Sequence, residues 1–190
     1  MQHRHFIIHK PYGFLSQFIT NQKKGGKHKM LGELHSFPEG TMAIGRLDVK
    51  SEGLLLLTTD GKVSDFITTK GKVEKEYYVQ VNGQITSTEI EQLKNGVEIG
   101  FDGKKYMTKP CEVNMIDIPD LPERSKKIRD DRHGPTSWIS VTLTEGKFRQ
   151  VRKMTSAVGF PTLRLVRVRV GNFLLGKMES GEVKELKSII

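Results

Sequence analysis

Cysteine is nearly absent from this 190-residue chain, and long apolar runs are absent altogether. The single Cys111 excludes an internal disulfide and is typical of proteins from a reducing cytosol. Residues 1–10 lack the apolar core of a secretory signal peptide. The longest aliphatic run, 54–57, falls far short of the ~20 apolar residues that span a bilayer. We therefore expect a cytoplasmic protein without a membrane partner.

Motifs for metal ions and nucleotide cofactors are also lacking. Structural zinc requires four nitrogen or sulfur ligands and catalytic zinc three, whereas His3, His5 and His9 stand far along the chain from Cys111. The sequence contains no Gly-x-Gly-x-x-Gly fingerprint, no P-loop and no Gly-x-Ser-x-Gly elbow. We therefore expect neither a metal ion nor a nucleotide cofactor.

Positive charge, by contrast, is abundant and unevenly distributed. The chain has 31 Lys and Arg against 22 Asp and Glu, a formal charge of +9. Residues 1–30 contain six Lys or Arg and no acid, and residues 145–170 contain seven with only one acid, Glu145. Such zones suit a polyphosphate partner through Coulomb attraction and counterion release. We expect nucleic acid, with a merely solvated basic surface as the alternative.

The hydrophobic pattern predicts strands and helices in an irregular order. Strands are expected at 6–8, 53–59, 76–81, 97–101, 106–116, 138–143 and 165–170. In the last of these, alternation puts Val166, Val168 and Val170 on one face and Arg167 and Arg169 on the other, which predicts a half-buried strand with a basic rim. Helices are expected at 62–69, 87–95 and 148–157, the first capped by Asp60 and the second opened by a capping box. Because regular βαβ alternation is lacking, the expected class is α+β, with a mixed, mostly antiparallel sheet and flanking helices.

One local pattern places two ionic groups beside a predicted buried strand. Arg46 and Asp48 stand two residues apart in the sequence GRLD, shortly before the apolar run at 54–57. A turn aspartate is often a helix cap or part of a surface ion pair, but a carboxylate at a rigid sheet edge can also face a cleft. The basic stretch 145–154 and Tyr77, on the inward face of a predicted strand, offer further groups for such a cleft.

Four motifs in this chain resemble those of the bacterial ribosomal small- and large-subunit pseudouridine synthases. In the family order they are HKPYGFLS (9–16), GRLDVKSEGLLLLTTDG (45–61), KEYYVQV (75–81) and EGKFRQVRKM (145–154). Ser51 and Thr59 stand where that family usually has Thr and Asn. The resemblance implies the pseudouridine synthase fold with a central catalytic cleft, as one domain over 1–190 whose two lobes share a sheet. It also predicts that no S4 RNA-binding domain is present, because the first motif begins so early. Apart from the resemblance, residues 117–137 hold three of the seven prolines, five acids and five Lys or Arg, so they are expected to form an exposed insertion loop.

The resemblance further implies a reaction and the residues that carry it. A specific uridine of ribosomal RNA, expected in the large subunit, is isomerised to pseudouridine without a redox change or a cofactor. By this resemblance Asp48 is the nucleophile, acting at ribose C1′ or at uracil C6, and Arg152 is the cation that keeps it ionised. Tyr77 stacks on the target base, unless it is only a core tyrosine, and its neighbour Tyr78 points to the other strand face.

A stacked uridine must be flipped out of the RNA before it can react. Arg46 is predicted to fill the gap that the flipped base leaves. The predicted RNA contacts are the basic side chains of Lys147, Arg149, Lys153, Arg164, Arg167 and Arg169. Loops 21–29 and 117–137 are expected to select the RNA, and the protein is expected to be a monomer.

Two other functions compete with this hypothesis. The first is a non-catalytic RNA-binding or ribosome-assembly protein with a synthase-like fold, and the presence of Asp48, Tyr77 and Arg152 argues against it. The second is a metal-dependent nuclease that uses Asp48 with Asp60 or Asp65. Those two additional acids are better explained as a helix cap and a surface group.

Overall fold

The structure, a computed structural model, describes residues 2–19, 28–70 and 73–189. Most of the basic loop predicted at 21–29 therefore lies outside the described residues. The chain divides into two compact units. Unit 1 comprises Met1–Val73, Pro122–Lys126 and Phe173–Ile190, and unit 2 comprises Glu74–Leu121 and Lys127–Asn172.

Strands are more numerous than helices in the described residues. The strands are β1 (His5–Lys10), β2 (Met42–Ile44), β3 (Glu52–Thr58), β4 (Lys75–Asn82), β5 (Glu98–Phe101), β6 (Lys104–Met107), β7 (Glu112–Ile116), β8 (Thr136–Leu143), β9 (Thr162–Val170), β10 (Phe173–Leu174) and β11 (Val183–Leu186). The helices are α1 (Gly61–Asp65), α2 (Ser87–Asn95) and α3 (Gln150–Ala157). No helix in the described ranges is long and apolar enough to cross a membrane.

Unit 1 is built around β3, whose seven side chains are all buried. β1 pairs with β3 in antiparallel fashion from His5 opposite Thr58 to Lys10 opposite Gly53, and β11 pairs with β1 in the same sense. β2 pairs antiparallel with β3 as well. The continuous apolar run at 54–57 thus forms the doubly buried strand that its shortness predicted.

Unit 2 is a four-stranded antiparallel arrangement in the order β9-β4-β8-β7. A separate antiparallel hairpin joins β5 and β6. Helices α2 and α3 contribute to one apolar cluster with the strands. Its buried members are Val79, Val81, Ile85, Ile90, Leu93, Ile99, Val113, Ile139, Val141, Leu143, Val151, Met154 and Leu165.

The α+β class with mostly antiparallel pairing is confirmed, and so are the two predicted helix starts. The Asp60 carboxylate accepts a hydrogen bond from the Lys62 amide at 2.9 Å. Thr86 and Glu89 form a reciprocal capping box at the start of α2. These signals succeed because a cap involves only residues within one turn of each other.

Two of the predicted elements are each divided into two in the structure. The strand expected at 106–116 is two strands, β6 and β7, because Pro110 lacks the amide that a continuous ladder needs. Around it, the Thr108 amide donates to the Val97 carbonyl and the Cys111 amide to the Lys94 carbonyl, each at 3.0 Å. The helix expected at 62–69 ends as α1, and a π-helical turn follows over Phe66–Lys70.

Candidate active site

The GRLD motif forms a loop between β2 and β3 in unit 1. Its backbone turns at Gly45, whose φ of 70° lies in the left-handed region that glycine tolerates best. Leu47 is buried, whereas Arg46 is exposed and Asp48 is half-buried. The Ser51 amide donates to the Asp48 carbonyl at 2.9 Å and closes a turn before β3. The motif therefore places Arg46 and Asp48 on either side of a buried apolar anchor.

A second loop, formed by the HKPYGFLS motif after β1, holds the GRLD loop in position. The Ser16 hydroxyl donates to the Leu47 carbonyl at 2.7 Å and accepts from the Leu47 amide at 2.9 Å. The Gly13 amide donates to the Val49 carbonyl at 2.8 Å. These bonds flank Asp48 on both sides along the chain, so they fix its backbone without using its carboxylate.

Lys10 organises the second loop from inside unit 1. The side chain is fully buried, and its ammonium donates to the carbonyls of Pro11 at 2.9 Å and Phe14 at 2.7 Å. Between these two residues, Gly13 has a φ of 88°. Since a buried ammonium must be hydrogen-bonded, Lys10 stabilises the turn from which Gly13 and Ser16 reach the GRLD loop.

Tyr77 lies on β4 in unit 2. It is half-buried and packs against the apolar cluster, on the same face as Val79 and Val81, as its position in the alternating pattern predicted. The strand register places it opposite Val141 on β8 and Arg167 on β9. The structure thus brings two of the predicted site residues, Tyr77 and Arg167, next to each other.

The prediction that Arg167 and Arg169 share one face of β9 is wrong, because β9 contains a β-bulge. Glu76 of β4 lies opposite Arg169, but the next residue, Tyr77, lies opposite Arg167, so β9 has one extra residue here. Directly opposed residues share a face of the sheet. Arg167 therefore lies on the face of Tyr77, and Arg169 lies on the face of Glu76.

The basic rim expected along β9 is also wrong. Arg164 and Arg167 are only 8% and 5% exposed. The Arg169 guanidinium bonds Glu76 and Glu74, each with an N–O distance of 3.0 Å, and these hydrogen bonds, that of Glu76 foremost, raise the pKa of Arg169. Since it already faces two carboxylates, Arg169 offers little net charge to a phosphate.

The EGKFRQVRKM motif is organised by Glu145. Its carboxylate accepts hydrogen bonds from the Tyr106 hydroxyl, from the Lys109 amide at 2.9 Å and from Gln150 Nε2 at 2.7 Å. Burial disfavours the charged carboxylate, but these bonds outweigh it and hold the pKa of Glu145 below its usual value. The Gln150 side chain is itself buried and accepts from the Lys147 amide at 3.0 Å. Glu145 and Gln150 together define the path of the chain into α3.

Helix α3 carries the predicted cationic partner of the nucleophile. Its inner face, including Val151 and Met154, is buried in the apolar cluster, while Arg152 and Lys153 are half-buried. Arg149 precedes the helix, is exposed, and has a φ of 53°, which is uncommon for a residue with a Cβ atom. The packing of Val151 and Met154 against the apolar cluster therefore fixes the helix, and with it the position of Arg152.

The histidines and the cysteine that the sequence analysis weighed as metal ligands have separate surroundings. His5 Nδ1 lies 2.9 Å from Thr58 Oγ1, and His9 Nδ1 lies 2.9 Å from the Met178 carbonyl. Burial raises the pKa of Cys111 to about 11. Within the described part of the chain, no three His, Cys, Asp or Glu side chains lie close enough together to hold a metal ion.

Sequence reasoning assigned no role to Ser16, Lys10, Glu145 or Gln150, although all four stand in the motifs. The signal that could have found them is a polar side chain within a motif next to apolar residues that become buried. Such a side chain needs a hydrogen-bond partner, and here the partners are the loops that carry the predicted site residues.

Known proteins resemble this chain along most of its length. The family model for RNA pseudouridylate synthase matches residues 4–157. "Ribosomal large subunit pseudouridine synthase E" of Vibrio parahaemolyticus is 42% identical over 98% of this chain and 76% of its own length. The protein of the same name from Xanthomonas axonopodis pv. citri is 42% identical over 89% of this chain and 86% of its own length.

A solved structure agrees with the sequence comparison. A crystal structure of a pseudouridylate synthase superimposes with a TM-score of 0.75 and 28% identity, covering 97% of this chain and 70% of the other. The human RNA pseudouridylate synthase domain containing 1 superimposes with a TM-score of 0.54 at 15% identity, over 96% of this chain and 78% of its own, which indicates a shared fold.

Proposed function

This chain belongs to the RNA pseudouridylate synthase family, and we propose that its substrate is one uridine of large-subunit ribosomal RNA. The enzyme breaks the N1–C1′ bond of uridine, rotates the base and joins C5 to C1′. The proton lost from C5 is balanced by the proton gained at N1, so substrate and product are isomers. The names of its relatives support ribosomal RNA of the large subunit as the substrate.

Asp48 is the proposed nucleophile, and the observation that carries this assignment is the fixed loop around it. A carboxylate is a weak nucleophile, so it must be positioned and partly shielded from water. Asp48 is half-buried, and the hydrogen bonds of Ser16 and Gly13 to its two neighbours hold its backbone. Attack at ribose C1′ and attack at uracil C6 both begin from this carboxylate.

Tyr77 and Arg152, both in unit 2, are the other two residues proposed to take part in the reaction. A half-buried tyrosine on a rigid strand can stack on a flipped uracil at a low entropic cost, because only two of its torsion angles need be held. Arg152, on the rigid helix α3, is proposed as the cationic partner that the family motif assigns to the nucleophile. Support for both comes from their placement in regular elements that pack on the core of unit 2.

The remaining basic residues are proposed to hold the RNA. Arg46 is exposed in the GRLD loop, two residues before Asp48, and it would fill the gap left by the flipped base. Lys147, Arg149 and Lys153 are assigned to phosphates. Arg164, Arg167 and Arg169 were also predicted to hold phosphates, but they are weaker candidates, Arg164 and Arg167 because they are buried and Arg169 because of its two acidic partners. The enzyme is proposed to act as a monomer.

The test is to map pseudouridine on protein-free large-subunit ribosomal RNA by carbodiimide treatment and primer extension, in buffer with EDTA. Wild-type protein is expected to create one new stop, and Asp48→Asn is expected to create none while binding RNA within a few-fold of wild type. Asp65→Asn, which changes an exposed carboxylate of the same unit, is the matched control and should leave the stop unchanged.

Each other outcome changes a different part of the proposal. A wild-type stop that persists in Asp48→Asn would overturn the assignment of the nucleophile. No stop with the wild-type protein, on free or subunit-bound RNA, would favour the RNA-binding protein without catalysis. RNA cleavage that EDTA abolishes, and that Asp65→Asn weakens, would favour the nuclease.

A further inference from the structure

One surface of unit 2 combines three aromatic rings with two lysines. Phe101 and Tyr106 come from the β5–β6 hairpin, Lys147 and Phe148 from the loop before α3, and Lys153 from α3 itself. We call these five residues the aromatic–lysine surface. Lys147 and Lys153 already stand among the proposed phosphate contacts, but the hairpin and Phe148 have no role in the reaction described above.

The rings and the ammonium groups of this surface are interleaved. Lys147 Nζ lies 4.8 Å from the ring centroid of Phe101 and 5.0 Å from that of Tyr106. Lys153 Nζ lies 5.4 Å from the centroid of Phe148 and 6.0 Å from that of Phe101. These distances are within the range of cation–π attraction, so the two ammonium groups are held beside the rings.

Hydrogen bonds at the base of the surface keep its elements together. Glu145 accepts from the Tyr106 hydroxyl of the hairpin and from Gln150 at the start of α3. Lys153 Nζ donates to the Gly100 carbonyl at 2.7 Å. The hairpin and the helix therefore form one rigid base, which lowers the entropic cost of binding a ligand.

Phe148 is the most exposed apolar member of this surface, with a fractional exposure of 65%. A phenylalanine at this level of exposure contributes little to folding. Its neighbours are cationic, since Lys153 lies beside its ring and the exposed Arg149 follows it in the chain. An exposed ring among cations matches the combination of stacking face and positive charge that single-stranded nucleic acid requires.

We propose that the aromatic–lysine surface binds an unpaired segment of the RNA substrate, with one base stacked on Phe148 and the flanking phosphates near Lys147 and Lys153. The inference rests on the proposed function, since it names where the substrate RNA is held outside the reaction centre. Every base has a π face, so this contact adds affinity without reading sequence. The charge of the surface favours RNA over an apolar protein partner.

The experiment compares Phe148→Ala with the matched control Met115→Ala. Met115 is 57% exposed in the same unit, but it lies on β7, outside the surface. Each protein is titrated with an RNA fragment that the wild type modifies, and kcat and KM for pseudouridine formation are measured on it. Phe148→Ala is expected to raise Kd and KM about 5- to 100-fold with kcat nearly unchanged, and Phe148→Trp should restore binding.

The dependence of affinity on salt separates the two kinds of contact. Lys153→Gln is expected to reduce the slope of log K against log salt concentration by about one, whereas Phe148→Ala should leave the slope unchanged. Wild-type values of Kd and KM for Phe148→Ala would overturn the inference while the proposed function stands. A wild-type protein that makes no pseudouridine would instead overturn the proposed function.

A protein occupant is tested in the same preparations by sedimentation. If Phe148→Ala dissociates a dimer of this chain and leaves the affinity for RNA unchanged, the surface joins protein copies and the inference is wrong. A monomer in both proteins, together with weaker RNA binding by the variant, supports it.

Discussion

The two units hold their candidate residues by different physical means. In unit 1, Asp48 lies on a loop, and a second loop fixes it through the Ser16 hydroxyl and the Gly13 amide. In unit 2, Tyr77 and Arg152 lie on a strand and a helix that share one apolar cluster. The proposed nucleophile therefore depends on a few polar contacts, whereas its proposed partners depend on packing spread over many side chains.

This difference predicts how mutations separate stability from activity. Removing a large side chain from a packed cluster lowers the free energy of unfolding, even when that side chain is far from the reaction site. A loop held by two or three hydrogen bonds contributes less to the total stability, but it shifts when one bond is lost. Glu145 is the exception within unit 2, because this single carboxylate joins the hairpin, the loop and α3.

The largest effect on stability is expected from Met154→Ala in unit 2. Met154 is 1% exposed on the inner face of α3, and truncation leaves a cavity, so the free energy of unfolding should fall by about 2–5 kcal/mol. Urea denaturation measures this loss, and the exposed Met115→Ala should change it by less than about 0.5 kcal/mol. If both variants lose the same free energy of unfolding, the stability of unit 2 does not depend on packing in the apolar cluster.

A smaller loss of stability, with a larger loss of activity, is expected from Ser16→Ala in unit 1. The change leaves the buried amide and carbonyl of Leu47 without the hydroxyl, which costs about 1–3 kcal/mol. Because Asp48 directly follows Leu47, loss of the Ser16 hydroxyl should shift the Asp48 carboxylate. We expect kcat to fall by at least about tenfold with KM nearly unchanged. The exposed Ser36 gives the control, Ser36→Ala. A Ser16→Ala enzyme with normal kcat would show that the loop keeps its position without this contact.

The smallest effect is expected from Glu145→Gln, and it should depend on pH. The folded pKa of Glu145 is depressed below 4.5. Its carboxylate therefore stabilises the fold above the unfolded pKa, and this contribution disappears as the pH falls through the folded pKa. The variant should be less stable than wild type by about 1–2 kcal/mol at pH 6, with a difference that shrinks toward pH 3.

Urea denaturation of both proteins between pH 3 and 6 measures that difference. Subtracting the two curves isolates Glu145 from the other carboxylates, which titrate in both proteins. A difference that stays constant over this range would show that the neutral amide and the charged carboxylate hold the hairpin and α3 equally well.

Several features of this fold were open to prediction from neighbouring residues. The caps at Asp60 and Thr86 and the buried strand β3 follow from short-range chemistry and from an uninterrupted apolar run. The division of the 106–116 segment was also open to prediction, since Pro110 interrupts any ladder. The four motifs predicted the family and the reaction that the comparisons confirm.

The β-bulge in β9 was not open to prediction in this way. Its register depends on the hydrogen bonds to β4, so the extra residue that separates the faces of Arg167 and Arg169 leaves no local signal. The burial of Arg164 and Arg167 likewise depends on what packs over them. Assigning faces from alternate residues assumes a continuous register between neighbouring strands, and the register between β4 and β9 is interrupted.

The sequence by itself determined most of the longer elements, the family and the choice of candidate residues, because caps, apolar runs and motifs act through residues close together in the chain. Only the tertiary structure decided how those residues are held. The Ser16 hydroxyl meets Leu47 across 31 positions, and Tyr106 meets Glu145 across 39. Such contacts form only when buried polar groups find their partners as distant segments pack together, so no local pattern specifies them.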